Sequence, residues 1–569
     1  MVRWKSPIGW GTVALTTRRL IIFITPLALV GLGFEAMYPS IPWLLRPLES
    51  VYYGMAGLFA VHLVLTFSQA ASKATFFRSH AFDVVLLLPL ALATDGVRIA
   101  VGFIALRHVL ALIRFLAPVP SAGHRLSVLR FTPARVIASS FAGTILVGTV
   151  LLTLPIATVE RQGTALLDAL FTATSAVCVT GLIVLDTPKH FSAFGQVVIM
   201  GLMQVGGLGI MTFSTFLAIA LRRRMGMQDR VVMQDILEEH NIETLRSMIV
   251  GILKMTCIIE AIGASVLAWA WYASGEDLRH ALYLGIFHSV AAFNNAGFAL
   301  FSDNLMQYRG DILINLGITS LIILGGLGFT VISGLVEWRF WGKAQVPRLS
   351  CHSRVVLTTT AILLGSGTLL FLLVECSRSM TDFSWTERIL ASYFLAVTPR
   401  TAGFNTVDTA SLTDLSLFIT IILMFVGASP ASTGGGVKTS TLALLVLSVR
   451  AILRNRDEVE VFDRTIPREA VHKALVIITL SFSLINVFTI ALLLTDETRF
   501  LPTIFEVVSA FGTVGLSMGL TPSLTAAGKL IIIVVMFIGR IGPLTMALAL
   551  GERHDRARFA YPTERVMVG

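Results

Sequence analysis

Charge is scarce in this chain. Asp, Glu, Lys and Arg make up 14% of its 569 residues, against 55% hydrophobic residues and a mean hydropathy of +0.80, and no soluble core hides that much apolar surface. Cysteine is scarcer still. Cys178, Cys257, Cys351 and Cys376 stand apart without C-x-x-C or C-x-x-H spacing, which excludes a disulfide framework and a thiolate metal site. There is also no P-loop, no G-x-G-x-x-G after a strand and no H-E-x-x-H, so nucleotide-dependent and metalloprotease chemistry have no foothold. The chain reads as a non-enzyme, with no cofactor of its own. Its start lacks the short apolar core and cleavage site of a signal peptide; Arg18 and Arg19 lead straight into an apolar run over 20–38, which reads as a retained anchor.

What is present is about a dozen apolar runs of roughly 20 residues, the length that crosses a bilayer. The formal net charge of +10 comes from basic residues gathered between those runs, at 222–224, 339–354, 450–473 and 553–565. That is the positive-inside pattern rather than a nucleic-acid footprint. Segments 275–277, 302–304 and 496–497 are poor in Lys and Arg. The expected topology is a multi-pass cell-membrane protein, lipid being its surroundings, with both termini cytoplasmic.

One short element occurs four times: Thr180-Gly181-Leu182, Ala296-Gly297-Phe298, Ala402-Gly403-Phe404 and Val514-Gly515-Leu516. The glycines are 116, 106 and 112 residues apart, room for two spans and a re-entrant segment. Each copy has the same order. First spans are expected near 136–157, 249–273, 355–376 and 474–494; then come amphipathic stretches too short to cross, at 166–177, 284–293, 389–397 and 503–511; second spans follow at 194–221, 312–335, 415–447 and 530–550. Non-helical backbone at membrane depth survives only around a protein-lined or water-filled cavity, so four such elements suggest one shared cavity. Glycine lets carbonyls turn toward an axis, where a ring of them replaces the water shell of K⁺. A short helix before each glycine aims its negative end at the same point, which favours a cation. A lone membrane glycine usually serves helix packing; four in phase reverse that reading.

At these residues the chain resembles the Trk/Ktr/HKT superfamily of potassium transporters, from about residue 130 to about 550. The likeness extends to Gln204-Val205-Gly206-Gly207-Leu208-Gly209, to Gly325-Gly326-Leu327-Gly328, to the run from Gly427 through Gly434-Gly435-Gly436 to Thr439, and to Gly539-Arg540. It implies an all-α polytopic membrane protein of four tandem M1–pore-loop–M2 repeats in pseudo-fourfold arrangement, selective for K⁺ through backbone carbonyls. In the family a Ser at the first filter position accompanies Na⁺ transport; here all four are Gly. Carried over by position, the K⁺ filter comprises Cys178, Val179, Thr180, Gly181, Asn295, Ala296, Gly297, Thr401, Ala402, Gly403, Thr513, Val514 and Gly515.

Three consecutive glycines do not suit a packed straight helix, so the third second-span should be broken and mobile. In the family the matching stretch is an intramembrane loop obstructing the cytoplasmic side. The expected gate is Gly427, Ala428, Ser429, Pro430, Ser432, Thr433, Gly434, Gly435, Gly436 and Lys438, with Arg540 beside it, as an element the other three repeats lack. Lys438 and Arg540 are cationic groups at membrane depth, functional candidates by default, though a long side chain also snorkels to the interface. Glu260 and Lys254, six apart, do not share a helix face and are expected to pair separately or lie at the interface rather than form a proton relay. Cys178 is expected to pack. Asp168, His288 and Glu506 should cap pore helices or set the outer potential, and Arg400 should donate behind the third loop.

The resulting division is 1–125, an N-terminal bundle of about four extra transmembrane helices; 126–235, 236–345 and 346–455, repeats one to three; and 456–569, repeat four with the C-terminus. The run Phe76-Phe77-Arg78-Ser79-His80-Ala81-Phe82-Asp83 is similar to a junction in voltage-sensor domains, but Arg98, Arg107 and Arg114 are too sparse for steep gating. A degenerate, structural sensor is expected. Three functions compete: a K⁺ uptake channel, a Na⁺- or H⁺-coupled K⁺ symporter of the same fold, and a transport-inactive scaffold. Inverted repeats would favour coupling; these repeats share one orientation. The resemblance further implies a homodimer and a cytoplasmic nucleotide-binding ring of RCK type, binding ATP, ADP or NAD.

Overall fold

The computed structural model describes residues 133–209, 245–340, 349–456 and 458–550. The sensor-like N-terminal bundle, the basic runs 222–224 and 553–565 and both termini lie outside the described residues. Repeat one contains α1 (Pro133–Thr153), α2 (Leu166–Val177) and α3 (Ala193–Leu208). Repeat two contains α4 (Leu245–Ala273), α5 (Leu278–Phe293), α6 (Ile312–Leu327) and α7 (Phe329–Phe340). Repeat three contains α8 (Cys351–Glu375), α9 (Trp385–Val397), α10 (Asp414–Phe425) and α11 (Thr439–Leu453). A small hairpin of β1 (Val459–Val461) and β2 (Arg464–Ile466), paired Val459 to Ile466, leads to repeat four: α12 (Arg468–Thr495), α13 (Phe500–Gly512), α14 (Ala526–Ile541) and α15 (Pro543–Leu550).

The first helix of each repeat is the outer one. Helices α4, α8 and α12 are long and apolar enough to cross a membrane, and Ile258, Ile262, Leu373 and Leu494 are more than half exposed on them. Such rows have no place in water and suit lipid. The short second helices α2, α5, α9 and α13 are the reverse, sunk in the core with Phe171, Phe287, Phe394 and Phe505 fully buried. Each inner helix starts on a side-chain cap: Ser192 for α3, Asp311 for α6, Thr413 for α10 and Thr525 for α14. A cap of this kind is worth about 1 kcal/mol, and its recurrence marks one structural origin for the four copies.

The copies close into a ring. Each pore helix packs on the inner helix of the preceding repeat: α5 on α3, α9 on α6, α13 on α10 and, returning to the start, α2 on α14. Polar struts tie the outer rim. Ser302 donates to Asp186 at 2.7 Å, Arg309 meets Glu387 at 3.4 Å and Lys529 meets Asp168 at 2.6 Å.

The inner helices depart from the expected continuous spans. α3 ends at Gly209, φ +74°; α6 and α7 meet at Gly328, φ +90°, with a bend of 102°; α14 and α15 meet at Gly542, φ +92°. A positive φ is open to glycine and strained for any residue with a Cβ, and it ends an α-helix locally while leaving hydropathy unchanged. In repeat three a whole loop separates α10 from α11. A break in the inner helix is therefore shared by repeats two, three and four, repeat three differing in its size, and α3 of repeat one ends on a glycine of the same sign of φ where the described residues of that repeat stop.

Candidate ion pathway

Each pore helix ends in a tight turn, of Schellman type in repeats one, two and four. Val179, Asn295 and Thr513 donate to carbonyls three residues back, and Thr180, Ala296 and Val514 to carbonyls five back, at 2.7 to 2.8 Å. Repeat three is wound differently, with Ala402 N–H reaching Thr398 O at 3.0 Å. All four nevertheless converge on one backbone pattern: φ is positive at Val179, Asn295, Thr401 and Thr513 and positive again two residues on, at Gly181, Gly297, Gly403 and Gly515. Alternating signs of φ let successive carbonyls face one side, where a strand would alternate them. The left-handed region costs a β-branched residue on the order of 1–3 kcal/mol, so Val179, Thr401 and Thr513 are held there by their surroundings. Cys178 stands outside this pattern. It is the right-handed C-cap of α2, buried and unpaired in any disulfide.

The four glycines touch in cyclic order. A Cβ on Gly181 would strike the Ala296 carbonyl oxygen, on Gly297 that of Ala402, on Gly403 that of Val514 and on Gly515 that of Thr180. The glycine of each repeat thus lies against the carbonyl preceding the glycine of the next, and the fourth returns to the first. Leu182, Phe298, Phe404 and Leu516, which follow the four glycines, are buried. Gly181 N–H donates to Ser175 Oγ at 3.0 Å and Gly515 N–H to Ser509 Oγ at 3.1 Å. Asn295 and Thr401 side chains hydrogen-bond at 3.1 Å across the repeat 2–3 seam. The buried hydroxyls of Thr180 and Thr513 have no hydrogen-bond partner among the described residues.

The loop between α10 and α11 lies against the pore-helix end of this ring. Side chains at Gly434 and Gly435 would collide with the hydroxyls of Thr401 and Thr513. The loop is folded on itself, with Gly427 N–H on Val437 O at 2.9 Å and the Thr439 and Ser429 hydroxyls 3.1 Å apart. It is also mated to the break in repeat two: Ser429 N–H donates to Gly326 O at 3.0 Å, Thr433 N–H to Gly325 O at 3.2 Å, and Phe329 N–H to Ala431 O at 3.2 Å. The two α6 carbonyls are available because the helix stops there. Ser432 donates to Ser429 O at 2.6 Å, and the Pro430 carbonyl abuts Gly328. Two cations hold the loop. Lys438 Nζ donates to Gly434 O at 2.8 Å and Gly435 O at 3.4 Å, while Arg540 donates to Thr433 O at 2.6 Å and to Gly206 O in repeat one. Arg540 spans from inner helix to loop, and Thr433 adds a hydroxyl bond to Phe293 O at 3.0 Å, at the end of α5.

The remaining expected residues scatter. Asp168 pairs with Lys529. His288 lies within α5, its Nδ1 2.9 Å from Leu284 O and its Nε2 accepting from Leu300 N–H at 3.3 Å. Glu506 accepts from Ser517 at 2.8 Å and from Thr521, so His288 and Glu506 tether outer loops rather than cap helix ends. Arg400 is buried and donates to Thr360 at 3.4 Å, as a donor behind the third segment. Glu260 forms no pair with Lys254 and bonds Gln204 and Asn294 instead. The sequence names Gly325, Gly326 and Thr433 without the contacts they make, the seating of the loop on repeat two and the Thr433 hydroxyl bond to α5, and it leaves unassigned the serines six residues before Gly181 and Gly515. The last repeat between copies one and four and were open to detection.

Against known proteins, residues 128–559 match the family described as "TrkH: Cation transport protein". The Ktr system potassium uptake protein B of Bacillus subtilis (strain 168) is 42% identical over 77% of this chain and 97% of that protein, and its namesake from Vibrio alginolyticus 42% over 76% and 94%. The potassium/sodium uptake protein NtpJ of Enterococcus hirae is 37% identical over 77% of this chain and 98% of its own. In fold, the crystal structure of the potassium transporter TrkH from Vibrio parahaemolyticus aligns with a TM-score of 0.60 at 17% identity, covering 83% of this chain and 96% of that one. With the broken inner helices and the closed ring of four glycine segments, these matches make the chain an all-α polytopic membrane protein that belongs to the TrkH cation transport family.

Proposed function

We propose that this chain takes up K⁺ through the ring at Gly181, Gly297, Gly403 and Gly515, with the loop 427–439 as its gate. The carrying observation is the cyclic contact of each glycine with the next repeat's carbonyl. Four inward carbonyls in fixed array replace the hydration of a monovalent cation without any side-chain charge, and the unpartnered hydroxyls of Thr180 and Thr513 add oxygen donors of the same hard character. Relatives named for potassium uptake, at 42% identity, support K⁺ as the cargo; the potassium/sodium name of another makes Na⁺ the ion to compete. The gate reading rests on position. The loop abuts the ring residues Thr401 and Thr513, and two cations, its own Lys438 and Arg540 of α14, sit on its carbonyls at Gly434 and Thr433.

The setting we propose is the cell membrane, with the positive-inside segments and both termini in the cytoplasm. A homodimer and a cytoplasmic nucleotide-binding ring of RCK type, charged with ATP, ADP or NAD, complete the proposal; the word "system" in the relatives' names fits a pore subunit working with others. The test is flux into proteoliposomes with K⁺, Rb⁺ and Na⁺. Gly181→Ser should lower K⁺ over Na⁺ preference about tenfold or more, and deletion of Gly434, Gly435 and Gly436 should raise basal flux. Unchanged selectivity in Gly181→Ser would place the filter elsewhere, and unchanged flux in a folded deletion variant would remove the gate.

A further inference from the structure

One acid close to the ring takes no part in the pathway as described. Glu260 lies on α4, and its side chain reaches the end of α5. Gln204 Nε2 donates to its Oε2 at 3.2 Å and Asn294 Nδ2 to its Oε1 at 3.1 Å; Asn294 Nδ2 is also 2.7 Å from Gln204 Oε1 and 2.9 Å from Val290 O. Both carboxyl oxygens thus face amide N–H groups, donors that a carboxylate can accept. Among the described residues no Lys or Arg pairs with it. The site is built for this contact. Gly207 leaves the space that Asn294 Oδ1 fills, Ser289 Oγ donates to the Glu260 backbone carbonyl at 2.7 Å, and Asn294 is the C-cap of α5. The next residue, Asn295, begins the second ring segment.

We propose that Glu260 is the counter-charge of the second filter segment, a membrane-embedded anion that strengthens cation binding in the adjoining ring. Glu260 is half-buried; a charge at membrane depth without a protein partner is costly, and a cation held in the ring is a mobile partner that offsets that cost. Gln204 and Asn294 hold the carboxylate in register, which gives the Gln204-Val205-Gly206-Gly207 motif its chemistry. Glu260 does not touch the ion; it is a positioning residue acting through Asn294 and through its field. The inference rests on the filter reading above.

Three full-length variants test it in proteoliposomes: Glu260→Gln, Glu260→Asp, and the exchange Glu260→Gln with Gln204→Glu. The neutral variant Glu260→Gln should raise the K⁺ half-saturation about five- to tenfold with maximal flux changed less than about twofold, the effect of one screened unit charge. It should also shrink the K⁺-induced rise in melting temperature of the purified protein. Glu260→Asp and the exchange pair keep an anion in the cluster and should stay within about twofold of wild type on the same electrostatic grounds. If Glu260→Gln matches wild type in half-saturation, or if Glu260→Asp and the exchange pair are as impaired as Glu260→Gln, the charge has no such role. Should Glu260→Gln fail to insert, the exchange pair decides alone: an anion moved to position 204 either preserves K⁺ half-saturation, as proposed, or does not. Intact selectivity in Gly181→Ser would instead remove the filter reading itself, so the two failures are distinguishable.

Discussion

The ring of glycines and the helix breaks below it are built from the same four repeats, yet they treat the repeat differently. At the ring, four unlike sequences reach one φ pattern and one cyclic contact. At the breaks, repeats two and four use a single glycine with φ of +90° and +92°, α3 of repeat one ends on Gly209 with φ +74°, and repeat three inserts a loop that crosses to its neighbours through Gly325, Gly326 and Arg540. The difference follows from the task at each level. An ion on an axis is surrounded equally only if every repeat offers the same oxygens, whereas one obstacle is enough to close a pore. The sharpest way to break this comparison is at the ring. Gly297→Ala, Gly403→Ala and Gly515→Ala each drive a methyl group toward the next repeat's carbonyl at a left-handed φ, so each should cost about tenfold or more in K⁺ over Na⁺ selectivity, about 1.4 kcal/mol. Ion-flux ratios in proteoliposomes provide the measurement. If one variant is silent while the others are not, the fourfold equivalence is nominal.

The second test concerns the asymmetric level. Arg540→Gln removes the donors to Thr433 O and Gly206 O and leaves the ring untouched, so basal K⁺ flux should rise severalfold with selectivity kept. Selectivity lost along with closure would show the two levels to be one. Thr433→Val is a smaller version. It deletes one hydroxyl bond to Phe293 O, worth about 1 kcal/mol, and basal flux should rise about fivefold or less on that energy. The Thr433 bond ends on α5 next to Asn294, so this variant also reports how much the gate leans on the second filter segment.

How much of this was legible beforehand depends on what kind of signal each feature leaves. The pore helices were, because a short amphipathic run before a glycine has a length and a period: 166–177 was expected and Leu166–Val177 is found, though α5 starts six residues before the expected 284. The four-times-repeated glycine was also visible, since it is a pattern in the letters. The inner-helix breaks were not. Gly209, Gly328 and Gly542 sit within apolar runs, and hydropathy does not register a change in the sign of φ; only in repeat three, where three glycines adjoin, does composition announce it. Seam chemistry was least legible of all. Gln204 and Asn294 are 56 and 34 residues from Glu260, and nothing local to any of them names the others.

The outer rim supplies the smallest test and the one that sharpens the comparison most gently. Its seams are unlike one another, so the equivalence at the ring cannot come from them. At the repeat 2–3 seam Glu387 accepts from Ser384 N–H at 2.8 Å while the Ser384 hydroxyl accepts from Glu387 N–H, a capping box on α9, and Arg309 approaches at 3.4 Å. The Ser384 N–H, and behind it Arg309, hold the Glu387 carboxyl below the ordinary carboxylate range. A depressed carboxyl stabilises the fold above its unfolded-state titration, and the contribution disappears as pH falls through the lower folded value. Glu387→Gln should therefore lower thermal stability near neutral pH by about 1 kcal/mol at most, since the pair is partly solvated. The two proteins should converge as acid protonates the wild-type carboxyl. K⁺ over Na⁺ selectivity should not move. If it does, strain at one seam reaches the glycine ring, and the symmetry of the filter is maintained by its asymmetric rim rather than by the four repeated segments themselves.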